Sequence, residues 1–417
     1  GLAAIERLAR RINAEWACDM TMEASTDRLA VLPGADFVIL SVAIDRERCW
    51  KMDHALGLKY GIRHYAENGG PGGFFHAARN AALLLPILRD MERLAPGALA
   101  LNFTNPMTRV CTLASRYTKV NMVGICHQLD FGYMMIGRLL GKDLGLDVDT
   151  DYLFRWNNTK GEREIAMAAH ERVDILAAGV NHFTWFLSVK DKETGEELLP
   201  LFHRRFLEQT AFEPYTRALI ETFGTCPTSG DAHCLEYMPY TGNVHRDGWG
   251  RYDIQMYPLD STAKRDRSWN AIYAMADGKM PLDELRLKRT ERAEQILEAV
   301  WHGRNAHDMA VNIVNADGLI ANMDRDAVVE VPAVMGNHGV RGIAVGNLPP
   351  VAAAFCNRQK TIVDLAVKAM AEGDRAAALQ ALALDPMIDD LDVAKDILRD
   401  GLELFAEYLP QFRGGAL

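Results

Sequence analysis

The stretch PILRDMERLAPGALALNFTNPMTRVCTLASRYTKVNMVGIC, residues 86–126, decides the fold. PILRDMERLAPG carries helical spacing and stops at a Pro-Gly pair. ALALNF is then a short strand, apolar on both faces, PMTRVCTLASRYT a second helix, and VNMVGIC a second buried strand. Strands buried on both faces and joined by crossover helices predict a parallel sheet. Each strand runs into polar residues: Asn102 and Asn105 after the first, Cys126 and His127 after the second. The carboxyl ends of such strands are where open α/β sheets bind ligands.

Outward from this unit, DFVILSVAI (36–44) adds another buried strand. MTMEAST (20–26) reads as a further strand and DRLAVLPGA as a short helix or turn. Residues 1–16 read as an amphipathic helix without the apolar block of a signal peptide. Residues 1–150 are therefore expected to form a doubly wound, Rossmann-like domain. From Tyr152 the pattern changes to a mixed sheet around VDILAAG and NHFTWFLSV, followed by helices at 281–302, 357–372 and 392–408. Residues 151–417 are expected to form an α+β domain that shares a cleft with the first, since no Pro/Gly/Ser linker divides them.

The 417 residues, 49% hydrophobic, suffice for two domains. A net charge of −10 offers no basic stripe for nucleic acid, and no segment approaches the length of a membrane span. Seven scattered cysteines without paired spacing fit a reducing cytoplasm rather than a disulfide framework.

Several positions could carry chemistry. AENGGPGG (66–73) opens a helix; its glycines could let backbone N–H groups approach an anion or a sugar, or form a plain loop. Asn102 and Asn105 can orient hydroxyls or simply make turns. Cys126 is a small hydrophobe or, with His182 of GVNHF, half of a site for a borderline-soft divalent metal. SGDAHCLEYMPY (229–240) gathers Asp231, His233, Glu236, Tyr237 and Tyr240, a source of a proton acceptor or a solvated loop with an aromatic anchor.

Taken together, STDR, GADFVILSV, ENGGPGG, NFTNPM, GICH and GVNHF, followed by VEVPAVMGNHGVRGIAVGNLPP and ALALDPM, resemble glycoside hydrolase family 4 over nearly the whole chain. The resemblance implies a lactate/malate-dehydrogenase-like α/β fold. It also implies a redox route outside the usual two-carboxylate scheme: NAD+ takes hydride from C3 of the sugar, a base removes the C2 proton, the C1 group is eliminated, water adds, and C3 is reduced again. A divalent metal, usually manganese in such proteins, would stabilise the developing oxyanion. By the same resemblance Cys126 and His182 bind the metal, Ser41, Glu67, Asn68 and Asn102 the cofactor, and Asn105, Asn181 and Arg109 the substrate. Asp231 is the implied C2 proton acceptor with Tyr237 as second choice, and His127 assists the leaving group. A homodimer or homotetramer is the implied assembly.

His127 stands where members acting on 6-phosphosugars carry Asp or Asn, which resembles the branch acting on unphosphorylated α-glycosides, as does ENGGPGG. Gln128 differs from the Ser of α-glucosidases and α-galactosidases and from the Gly of α-glucuronidases, so α-galacturonides are the expected substrate, with those sugars as alternatives. A uronate needs a cationic anchor, for which Arg109, Arg246, Arg251 and Arg341 are candidates. Two features depart from the family. Its opening strand and Gly-rich dinucleotide loop are absent here, which implies either a longer natural protein or one that no longer uses NAD. The spacing from Cys126 to His182 is also long, which an insertion around 141–158 would explain. A lactate/malate-dehydrogenase-like oxidoreductase would lack the Cys-His metal pair; a non-catalytic sugar-binding protein is the remaining alternative.

Overall fold

The computed structural model describes residues 1–151, 160–256, 259–286 and 291–414. Its strands are β1 (Phe37–Leu40), β2 (Leu99–Asn102), β3 (Asn121–Gly124), β4 (Val173–Val180), β5 (Phe183–Asp191), β6 (Ala306–Val314), β7 (Val328–Gly336) and β8 (Gly339–Gly342). They form one sheet in the order β1-β2-β3-β6-β7-β4-β5, with β8 alongside β7. β1, β2 and β3 are parallel, and every later pairing is antiparallel. The sheet therefore continues across residue 150, with β3 handing over to β6.

The central stretch behaves as its sequence demands. Leu99 and Leu101 of β2 pack with Val123, Ile125 and helix residues Ile296 and Ala299 on one face. Ala100 between them meets Leu84, Leu88 and Met91 of helix Gly70–Leu94, and Val110 and Ala114 of helix Met107–Tyr117, on the other. Burial on both faces is what a parallel strand between helical layers requires. Helix Pro350–Glu372 packs over the helices Gly70–Leu94 and Met107–Tyr117 and closes that layer.

Two expected elements differ. Residues 20–26 form no strand; β1 pairs only with β2 among the described residues, and in this mostly exposed segment the N–H and carbonyl of Met20 bond to the Asn13 side chain and the Met22 carbonyl accepts from Arg10 rather than joining a ladder. The single helix expected over 281–302 is broken into Asp283–Arg286 and Ala293–Trp301. Arg292 takes a left-handed φ of 66° before the second piece, and its guanidinium is drawn onto the sheet by Asp308 and the carbonyls of Cys126 and Ala310. Of the stretch expected to be an insertion, residues 152–158 lie outside the described residues; the helix that follows, Lys160–Arg172, packs on Gln128–Leu140. No helix among the described residues is long and apolar enough to cross a membrane, and all seven cysteines are free thiols.

Candidate active site

One row of residues across the sheet ties the site together. Gly124 of β3 lies opposite Asn312 of β6, Asn312 opposite Glu330 of β7, and Glu330 opposite Gly179 of β4. Just beyond Gly124 comes Cys126, and just beyond Gly179 the two-residue turn Asn181-His182 that joins β4 to β5. Cys126 Sγ and His182 Nε2 thereby come within 3.4 Å of each other, both buried. The glycines at the ends of the row have no spare room: a Cβ on Gly124 would fall 2.5 Å from Met107 Sδ, and one on Gly179 2.6 Å from the Phe183 carbonyl oxygen.

The turn carrying His182 is clamped. Thr108 Oγ1 and Tyr237 Oη both donate to the Asn181 carbonyl, at 3.2 and 3.1 Å, and Tyr237 Oη accepts from the His182 N–H at 3.0 Å. Asn181 Nδ2 donates to Glu330 Oε2 at 2.7 Å. Four buried atoms around this turn find no partner: Asn181 Oδ1, His182 Nδ1, Glu330 Oε1 and Asn105 Oδ1. Burial pushes the Cys126 thiol up and the His182 imidazole down from their ordinary values, so neither charged form is favoured without a cation.

His127, exposed at the start of helix Gln128–Leu140, faces Glu291, Nδ1 to Oε1 3.1 Å. Donating this hydrogen bond to Glu291 raises the His127 pKa to about 9. Burial opposes the charge on Glu291, but the bond to His127 outweighs it and holds that carboxyl below its usual range.

Glu236, fully buried, is the hub beneath the Gly-rich loop. Its Oε1 accepts from the N–H groups of Ala66 and Asn68, and its Oε2 from Asn68 Nδ2, all at 3.0 Å, while His233 Nδ1 lies 2.9 Å from Oε2. Burial works against ionisation here too, yet the bonds from His233 and Asn68 bring the Glu236 pKa to about 2. The next free N–H, on Gly70, goes to Asp385 Oδ2 at 2.9 Å. Three of the loop's N–H groups, on Ala66, Asn68 and Gly70, thus go to carboxylates of the chain itself. Its glycines serve close packing: a Cβ on Gly69 would sit 2.0 Å from the Glu236 carbonyl oxygen, and one on Gly72 2.3 Å from His64 Nε2.

The structure brings Cys126, His182, Asn181 and Tyr237 into one cluster, with Asn105 linked to Glu67 at 3.3 Å beside it. Other expected residues are placed differently. The Asp231 carboxylate accepts from the Tyr215 N–H and from the N–H and hydroxyl of Thr216, capping helix Pro214–Phe223. These bonds tie the carboxylate to the start of that helix. Tyr237 is occupied at both its donor and its acceptor, and burial raises its pKa well above the usual phenol value. Asn102 folds back on Thr104, accepting from its N–H at 3.1 Å and donating to its carbonyl at 3.0 Å, the turn alternative. Arg109 is buried beneath the loop, donating to the Gly73 carbonyl, and is not open to a substrate carboxylate. Beside it lies a cavity of about 20 Å³, room for one water, lined by Asn68, Thr108, Asn181, Tyr237 and Gln359. Ser41 is exposed at the end of β1, and Asn68 keeps Oδ1 free while its amide is held by Glu236. Among the other proposed cations, Arg246 pairs with Asp389 at 3.4 Å, and Arg341 lines a separate groove at the far ends of β3 and β6.

Sequence reasoning missed Glu330, Glu291 and the anchoring role of Glu236. A lone carboxylate inside the apolar run VVEVPAV was the available signal for Glu330; Glu291 carried none.

Comparison with known proteins gives the family. The description "Family 4 glycosyl hydrolase" matches residues 1–141, and "Family 4 glycosyl hydrolase C-terminal domain" matches residues 177–388. An α-glucosidase of Erwinia rhapontici is 28% identical, covering 92% of this chain and 84% of that protein. An α-galactosidase of Rhizobium meliloti (strain 1021) is 27% identical over 99% of this chain and 81% of that protein. Among solved structures, a 6-phospho-α-glucosidase from gut microorganisms in complex with NAD and Mn2+ superposes with a TM-score of 0.75 at 22% identity, covering 99% of this chain and 90% of that one. With matches that together span most of its length, the chain belongs to family 4 of the glycosyl hydrolases.

Proposed function

We propose that this glycosidase cleaves unphosphorylated α-glycosides, α-galacturonides first among them, by NAD-dependent transient oxidation at C3 with loss of the C2 proton. The observation that carries the reading is the Cys126–His182 pair, 3.4 Å apart at the carboxyl edge of the sheet. Neutral α-glucosides, α-galactosides and α-glucuronides are the alternative sugars.

The residues fit a divalent cation. A thiol and an imidazole suit a borderline-soft metal, and Asn181 Oδ1 and Glu330 Oε1 are buried acceptors left without donors. No set of three His, Cys, Asp or Glu ligands assembles among the described residues, so a metal held by this pair keeps positions open for sugar oxygens. Manganese is the metal and NAD+ the cofactor in the gut 6-phospho-α-glucosidase complex. A dinucleotide fits the edge formed by the ends of β1 and β2, where Ser41 is exposed and Glu67 and Asn68 border the loop. When bound, the two groups supply the hydride acceptor and the charge that stabilises an oxyanion at C2 and C3.

The chain's own residues do the rest. Thr108 and Tyr237 fix the His182 turn. Asn105 and Asn181 offer unpartnered amide oxygens to sugar hydroxyls. His127, hydrogen-bonded to Glu291, holds a proton on the exposed side of Cys126 and delivers it to the departing C1 oxygen. Scattered free thiols suit a reducing cytoplasm, and a homodimer or homotetramer is the assembly the family resemblance implies.

Hydrolysis of p-nitrophenyl α-D-galacturonide and α-D-glucoside in D2O, with NAD+ and Mn2+ added, tests the reading. Deuterium at C2 of the released sugar is expected. A product without label would point to direct displacement and sink the redox route.

A further inference from the structure

Glu330 is 1% exposed, carries no salt bridge among the described residues, and has one oxygen, Oε1, without any partner. An unpaired carboxylate in a dry interior is costly unless a positive charge comes to it. It lies in the row that links the strands bearing Cys126 and His182, opposite Gly179 and Asn312. Among the described residues its one hydrogen bond is from Asn181 Nδ2, the side chain immediately before His182. Thr108 and Tyr237 hold the Asn181 backbone, and Glu330 holds its side-chain amide.

We propose that Glu330 is a positioning residue for the Cys126–His182 metal pair: it orients the Asn181 amide beside His182 and supplies the negative charge that a divalent cation balances. The inference rests on the metal reading above. Without a cation, the carboxylate is a burden to the fold; with one, it is compensated.

The test is Mn2+ titration of the purified chain, with free Mn2+ followed by electron paramagnetic resonance, alongside thermal unfolding of the metal-free protein. Glu330→Gln keeps the shape and an acceptor for Asn181 but removes the charge. Its Mn2+ dissociation constant is expected to rise roughly 10- to 100-fold, the usual cost of losing a group that orients a metal ligand, while the metal-free midpoint stays level or rises. An unchanged dissociation constant together with a lowered metal-free midpoint would overturn the proposal and leave Glu330 a structural residue. If Glu330→Gln does not fold, Asn181→Ala takes its place: its Mn2+ dissociation constant is expected to rise by the same factor while its metal-free midpoint falls, because Glu330 loses the hydrogen bond from Asn181, and an unchanged dissociation constant would overturn the proposal. Wild-type protein that binds no Mn2+ would instead remove the metal reading itself, and this inference with it.

Discussion

Cys126 Sγ lies 3.4 Å from His182 Nε2 although 56 residues separate them in the chain. Four strands in register, with glycines at both outer positions, create that distance. The pair should therefore be dispensable for folding and indispensable for the metal. Cys126→Ala and His182→Ala are each expected to retain the wild-type circular dichroism spectrum and to lose stoichiometric Mn2+, measured by elemental analysis after gel filtration. Full metal content in both variants would move the metal elsewhere.

Gly69 tests whether the Gly-rich loop is a packing device. Its backbone is extended, so alanine meets no conformational penalty, only the Glu236 carbonyl oxygen 2.0 Å from the new Cβ. Because that neighbour is backbone held in a buried network, relief requires the loop to move. Gly69→Ala is expected to destabilise by about 3 kcal/mol, the upper end for overpacking, read from urea unfolding. Gly97→Ala, where a Cβ meets nothing within 4 Å, is the control and should leave the midpoint unchanged within error.

The parallel half of the fold was legible because β2 and β3 are apolar on both faces and end in polar turns. The metal pair was legible only through the joint order of several motifs, since a lone Cys and a lone His mean little. Asp231 was legible as part of GDAH, but its capping of another helix was not, because its partner Thr216 lies 15 positions earlier. Glu291 precedes Arg292, whose left-handed backbone before helix Ala293–Trp301 goes with a tertiary contact, the pair with Asp308, and no local pattern foretells that. Glu236 was visible as part of a cluster, but its work, receiving the loop's N–H groups across 168 to 170 residues, was not.

Removing Glu236 leaves the N–H groups of Ala66 and Asn68 and the Asn68 amide facing a dry interior. Glu236→Ala is expected to cost about 3–5 kcal/mol, because hydrogen bonds to a buried charge are each worth roughly 1.5–3 kcal/mol and do not add fully. Glu236→Gln should lose less. Denaturant midpoints check both; equal and small losses would show that the loop holds itself.

Three histidines make the fold sensitive to acid. Burial lowers the pKa of His54 to about 4, and of His64 and His76 to about 3, from an ordinary 6.5. His54 and His64 stack at 4.1 Å, and neither ring nitrogen of His64 has a partner. All three are neutral when folded, while the unfolded chain takes up their protons below pH 6.5. Their contribution is full above that pH and is lost as pH falls towards 4, by about 2 kcal/mol each at pH 5. Unfolding midpoints measured from pH 8 to 4.5 should be level, then fall. His64→Leu should flatten the fall by about one proton; an unchanged slope would mean His64 is not buried neutral.

The His127–Glu291 contact, 3.1 Å on the exposed side of Cys126, predicts a dependence on the leaving group. A p-nitrophenolate departs readily without a proton, whereas methanol or a second sugar must be protonated as the C1–O bond breaks. His127→Asn is therefore expected to slow turnover of methyl α-glycosides by roughly 10²- to 10⁴-fold, the usual range for a lost general acid, and to leave p-nitrophenyl α-glycosides much less affected. Glu291→Gln should show the same pattern in weaker form, because it weakens the proton's hold on His127 without removing the ring. Equal losses on both substrate types would place His127 in binding rather than in proton transfer, since a group that only grips the sugar cannot distinguish one leaving group from another.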